Sequence, residues 1–117
     1  MRSINRVFLV GRVGAKPELR KSKNGKDYAK FSIATNRSFK NGAGEYEERT
    51  DWHRIMVWGY DAQKCFDRLE KGSPVFVEGE LNQFKIEEDN GKSQYMTTVT
   101  ANEVSFPSLP IQSATAS

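Results

Sequence analysis

The sequence predicts an all-β fold, a small five-stranded barrel in Greek-key order with one short helix between the third and fourth strands. Three observations predict it. Five segments are rich in Val, Ile, Phe, Thr and Trp, and two of them, Asp27 to Asn36 and Arg49 to Gly59, alternate between two faces with a period of two; Asn24-Gly25 and Asn90-Gly91 mark tight hairpins; and helical spacing appears over one segment, Asp61 to Lys71.

The first strand is Asn5 to Val13, where Gly11 and Gly14 imply a bulge or bend in a strongly curved strand. A basic stretch, Ala15 to Lys26, ends in Lys23-Asn24-Gly25-Lys26, a turn in which Asn and Gly tolerate positive φ and join two antiparallel strands. The second strand, Asp27 to Asn36, places Phe31, Ile33 and Thr35 on one face and Tyr28, Lys30, Ser32 and Ala34 on the other. A loop is expected from Arg37 to Glu48 through Asn41-Gly42-Ala43-Gly44. The third strand, Arg49 to Gly59, sorts Asp51, His53, Ile55 and Val57 to one side and Trp52, Arg54, Met56 and Trp58 to the other.

Ala62, Cys65, Phe66 and Leu69 then fall at i, i+3, i+4 and i+7, the apolar face of an amphipathic helix over Asp61 to Lys71, with Gly72 as its left-handed terminator. Pro74 to Leu81 is the fourth strand, continued by Gln83 to Glu87 to a hairpin tip at Asp89-Asn90-Gly91-Lys92; Gln94 to Val104 is the fifth. Five strands with a helix after the third is the element order of an OB-fold, whose face and loops bind oligonucleotides and oligosaccharides.

At 117 residues the chain has room for one core, expected over residues 1–106, with residues 107–117, uncharged and rich in Ser, Ala and Pro, as a flexible tail or linker stub. Cys65 is the sole cysteine, so an internal disulfide and a cysteine-based zinc site are excluded and a reducing, cytoplasmic setting is expected. The apolar run Val7-Phe8-Leu9-Val10 is too short for a signal-peptide core or a membrane span. Net charge is only +3, but it is unevenly spread: residues 1–30 hold nine Lys or Arg against Glu18 and Asp27, and residues 61–117 hold five against nine acids. Such asymmetry fits a polyanion-binding face, although solvated surface is its common meaning.

No enzyme signature emerges, and no cofactor is expected. His53, the single histidine, lies on the inward face and suits a hydrogen-bonded structural or interface role; Cys65 belongs to the helix's apolar face. Neither Glu47-Glu48 nor Glu87-Glu88-Asp89 has the spacing of a metal pair, and Asn41-Gly42-Ala43-Gly44 lacks the Lys-Ser/Thr and helix of a P-loop.

The binding chemistry lies in the third strand. Ile55 and Val57 suit a barrel interior, whereas Trp52-x-Arg54-x-Met56-x-Trp58 interleaves flat rings with a cation. Bases of a single strand gain about 1–3 kcal/mol each by stacking on aromatic rings, and cations neutralise its phosphates; stacking does not read base edges, so such binding tolerates most sequences. Phe39 beside Lys40, and Phe84 beside Lys85, are comparable pairs, and Lys16, Arg20, Lys21, Lys23 and Lys26 crowd the first hairpin where a phosphate backbone could be gripped.

Asn5-Arg6-Val7-Phe8-Leu9-Val10-Gly11, Pro17-Glu18-Leu19-Arg20, Phe31-Ser32-Ile33-Ala34-Thr35-Asn36, Thr50-Asp51-Trp52-His53-Arg54, Trp58-Gly59, Lys71-Gly72-Ser73 and Val77-Glu78-Gly79-Glu80-Leu81, with Asn24-Gly25, keep the order and spacing of one family. Over about residues 3–106 the chain resembles bacterial single-stranded DNA-binding proteins. The resemblance implies an OB-fold, a homotetramer, and coating of DNA strands exposed in replication, recombination and repair. It implies stacking at Phe39, Trp52 and Trp58, a DNA contact at Arg54, phosphate contacts at the basic positions Arg6, Lys71 and Lys85, and a subunit contact at His53. Two departures stand out. A fourth stacking position, Trp in familiar members, resembles Ile86 here, with Phe84 two residues earlier as a substitute. The family's acidic, Phe-ended tip, which recruits replication and repair proteins, has no counterpart in Ala114-Thr115-Ala116-Ser117. Two other functions share parts of this pattern: a primosome-type or RNA-directed relative, and a structural oligomer whose tryptophans are buried between subunits.

Overall fold

The computed structural model describes residues 1–107; the expected tail, beyond Pro107, lies outside the described residues. Six strands and one helix follow in the order β1 (Val7–Val13), β2 (Glu18–Lys21), β3 (Asp27–Lys40), β4 (Tyr46–Trp58), α1 (Tyr60–Arg68), β5 (Pro74–Glu87) and β6 (Ser93–Ser105). Around the sheet the order is β1-β5-β6-β4-β3, and an added β1–β3 pairing closes these five strands into a barrel, with β2 hanging outside on β3. The predicted OB-fold barrel is therefore observed, and its helix lies between β4 and β5 once β2 is counted.

Closure depends on two short seams. Arg12 and Val13 pair with Ala34 and Ile33, and Ile55 and Met56 run parallel to Val99 and Thr100. At the first seam Gly11 has no room for a Cβ, which would collide with the Ala34 carbonyl oxygen, so glycine lets β1 approach β3 closely. β1 changes partner here, since Arg12 also pairs with Pro74 of β5. The break in register sits elsewhere, between Glu78 and Gly79 in β5, where Gly79 lies against the Thr100 backbone.

Alternate residues of each strand fill the interior: Ala29, Phe31 and Ile33 from β3, Ile55 and Val57 from β4, Val75 and Val77 from β5, with Val13 and Val99. Burying each larger side chain contributes about 1.5–3 kcal/mol. One end is sealed by α1, which presents Ala62 and Cys65, followed by Leu69, to the core and packs on β2, β3 and β4.

Two expectations about boundaries need correction. The segment Arg37 to Glu48 is mostly not loop: β3 and β4 stay in register from Tyr28↔Trp58 out to Lys40↔Tyr46, so a two-stranded arm projects beyond the barrel and the connection is only Asn41–Glu45. Polar composition hid this, because an arm outside the core has no apolar face to reveal its period. The helix is also shorter than expected. It ends at Arg68 because Leu69 turns extended, and Gly72 (φ 88°) instead occupies the third position of the turn Glu70–Ser73, closed by a 3.0 Å Ser73 N–H to Glu70 carbonyl bond.

Candidate nucleic-acid interface

Strand β4 is pleated without a bulge through its pairing with β3, so its two faces have separate fates. Ile55 and Val57 are 2% and 1% exposed, whereas Trp52 and Trp58 are 61% and 37% exposed. Each outward residue lies opposite an outward residue of β3: Trp58 opposite Tyr28, Met56 opposite Lys30, Arg54 opposite Ser32 and Trp52 opposite Ala34. The result is a strip with an aromatic group at either end and cations between.

The two indoles are held differently. Trp58 leans on Tyr28, with ring centroids 4.9 Å apart and planes tilted by 37°, and the Lys26 ammonium lies 5.7 Å from its ring centroid. Trp52 faces the small Ala34, and its benzo edge closes over Gly14. Arg54 has no carboxylate partner among the described residues, so its guanidinium is available to an anion.

Beside the strip runs a groove of 510 Å³, floored by Lys30, Arg54 and Met56 and walled by Phe84, Ile86 and Met96. A second hollow of 500 Å³ shares Ser32, Arg54 and Thr98 with it and reaches Trp52, Leu81 and Thr97. Phe84 and Ile86, two apart on one side of β5, both line the first groove, so the expected substitute ring stands there together with the aliphatic residue at the original position. Glu18 also borders it. A hydrogen bond and the charge of Arg20 hold that carboxylate below its ordinary value, and Arg20 is raised in return. The paired charge offers little repulsion to a phosphate.

The other expected site residues are dispersed. Phe39 shares the side of β3 that carries Ile33, the reverse of the strip, and lies opposite Glu47 on the projecting arm. Lys40 is at the arm's end, 5.9 Å from the centroid of Tyr46. Arg6 is bonded to Glu78 at 2.6 Å. Lys71 is exposed in the turn after Leu69, and Lys85, opposite Tyr95, points away from the side of β5 that carries Phe84. In the first hairpin, Lys16, Arg20 and Lys21 are engaged by Glu70, Glu18 and Asp27, while Lys26 serves Trp58. His53 is half-buried, with its Nε2 2.8 Å from the Thr35 hydroxyl.

Tyr28, Lys30 and Met96 join the site without having been singled out as binding residues. Alternation had placed Tyr28 and Lys30 outward; assigning them to the strip needed the register that sets them against Trp58 and Met56. Cys65 is buried, its thiol pushed up to about 11 by burial, with Asp61 adding and Lys64 opposing. Among the described residues no cluster of His, Cys, Asp and Glu could hold a metal ion, and no helix is long and apolar enough to cross a membrane.

The profile of the Single-strand binding protein family matches residues 4–107. Over 105 residues the chain is 38% identical to Single-stranded DNA-binding protein 1 of Chlorobaculum tepidum, an alignment covering 88% of this chain and 64% of that protein. It also superposes on a solved Plasmodium falciparum SSB, determined in complex with ssDNA, with a TM-score of 0.82 and 31% identity, over 92% of this chain and 98% of the other. The chain thus spans somewhat less than two thirds of the curated bacterial relative.

Proposed function

This chain belongs to the single-strand binding protein family, and from that premise we propose that it binds and protects single-stranded DNA, largely irrespective of sequence, during replication, recombination and repair. The observation that carries the proposal is the outward face of β4, where the exposed rings of Trp52 and Trp58 flank Arg54, which has no carboxylate partner among the described residues. Bases stack on the rings and Phe84 continues the path along the groove; Arg54 and Lys30 meet phosphates. The proposed activity is binding without catalysis or cofactor, and the proposed location is the cytoplasm, in association with the nucleoid.

Phe39, Lys40, Arg6, Lys71 and Lys85 then act as outlying contacts for a strand that wraps beyond the groove. One domain, residues 1–106, suffices for this role as a subunit of a homo-oligomer, with a tetramer favoured. Phe8 and Val10, 64% and 66% exposed on β1, give a second copy an apolar face, and His53 is assigned to a subunit contact.

A titration of intrinsic fluorescence with oligo-dT at two salt concentrations tests the proposal. Quenching that saturates, with affinity falling by a log–log slope of about −0.7 per neutralised phosphate, is expected. Unquenched tryptophans would favour burial of the indoles between subunits, and tighter binding of oligo-U would favour an RNA-directed role, since that preference requires use of the 2′-hydroxyl.

A further inference from the structure

We infer that Gly14 is a positioning residue for the Trp52 stacking platform, an inference that rests on reading Trp52 as a ring that meets bases. Glycines here have three separate reasons to be glycine. Gly25, Gly44, Gly59, Gly72 and Gly91 have φ between 76° and 88°, with nothing within 4 Å of where a Cβ would stand; their need is conformational. Gly11 and Gly79 lie against neighbouring backbone. Gly14 has neither constraint: its φ is outside the left-handed region, and the three atoms nearest to where a Cβ would stand all belong to the Trp52 side chain, 2.5 Å away at Cζ3, 3.1 Å at Cη2 and 3.5 Å at Cε3.

Those three consecutive ring atoms, nearest at the middle one, describe an indole that meets Gly14 by its benzo edge. An edge contact locates the ring while leaving its faces to a base. The position of Gly14 is itself set by its N–H, which donates to the Ser32 carbonyl at 2.9 Å, so the seat belongs to the closed barrel. Carbon atoms in contact prefer about 3.5–4.0 Å, so a methyl group at position 14 displaces the ring by roughly 1 Å. Because Trp52 is well exposed, the ring can swing toward solvent with little loss of packing. A bound base would then meet a mobile, misplaced ring, and ordering it subtracts from affinity.

The test measures oligo-dT binding and melting for the unsubstituted full chain, Gly14→Ala, Trp52→Ala and the double variant. Gly14→Ala is expected to weaken binding about three- to tenfold, with an unchanged melting temperature and salt slope, and to add nothing in the Trp52→Ala background. An equal loss in both backgrounds, or no loss where Trp52→Ala alone is weak, overturns the inference and leaves the stacking role standing. Full affinity in Trp52→Ala overturns the stacking role itself. Should Gly14→Ala lower the melting temperature, Trp52→Phe, which lacks the benzo edge, restores it if the contact is the cause; a melt left unrestored overturns the inference.

Discussion

The ribbon formed by β3 and β4 has two stretches that share one hydrogen-bond register and differ in what lies beneath them. From Tyr28 to Thr35, paired with Asp51 to Trp58, the inner side carries the core residues Ala29, Phe31, Ile33, Ile55 and Val57, and the outer side is the aromatic strip. From Asn36 to Lys40, paired with Tyr46 to Thr50, every residue is exposed on both faces. Rings occur on both: Trp52 and Trp58 on the first, Phe39 and Tyr46 on the second. The lesson concerns preorganisation. A ring seated on a packed barrel is ordered before DNA arrives, whereas a ring on an unsupported arm must be immobilised on binding, at about 0.5–1.5 kcal/mol per side chain.

The largest expected effect falls on the support itself. Ile55→Ala, at a fully buried barrel position, should cost about 2–5 kcal/mol of unfolding free energy in denaturant melts, while Tyr46→Ala on the arm should leave the midpoint unmoved; comparable losses would abolish the distinction between the stretches. Next comes binding, where Trp52→Ala and Trp58→Ala should each weaken oligo-dT affinity by about 1–3 kcal/mol with the fold intact. Phe39→Ala should cost less than either, by about the ordering penalty of one side chain. If Phe39 proves the strongest of the three, the arm closes on DNA more tightly than its free geometry implies.

Charge sharpens the contrast further. Arg54→Gln should make the log–log salt slope shallower by about 0.7, whereas Arg37, already bonded to Asp51 at 3.1 Å, should change it little when replaced by Gln; equal changes would place phosphates along both stretches. The effect confined to the narrowest range of conditions is expected at the sealed end of the barrel. Burial raises the Cys65 thiol from 9.0 to about 11, so the neutral thiol's contribution is complete below about pH 9 and is lost as pH rises toward 11. Melting temperatures followed from pH 7 to 11 should therefore show a component of decline that Cys65→Ala lacks; parallel curves for the two chains would exclude it.

How much of this was legible beforehand varies residue by residue. Trp52, Arg54, Met56 and Trp58 could be assigned to one face because β4 alternates without interruption and Ile55 and Val57 declare which side is core. Phe84 and Ile86 could be paired for the same reason. The arm was opaque: a stretch exposed on both sides has no apolar alternation, so Arg37 to Glu48 resembled a loop, and the position of Phe39 on the reverse side emerged only with the register. Gly14 offered a bend as its explanation, and the neighbouring ring that accounts for it comes from a residue 38 positions later in the chain.

Alternation, turn chemistry and the helical break are local properties, dictated by sterics within a few residues, and the amino-acid order alone suffices for the barrel class, the inward and outward sets and the aromatic character of the exposed set. Which outward residues become neighbours is another matter. Closure of β1 on β3 and of β4 beside β6 brings Gly14 under Trp52 and sets Phe84 across a groove from Arg54. Such juxtapositions depend on pairings between distant segments, whose register is chosen by the packing of the whole core and is written in no single stretch of chain.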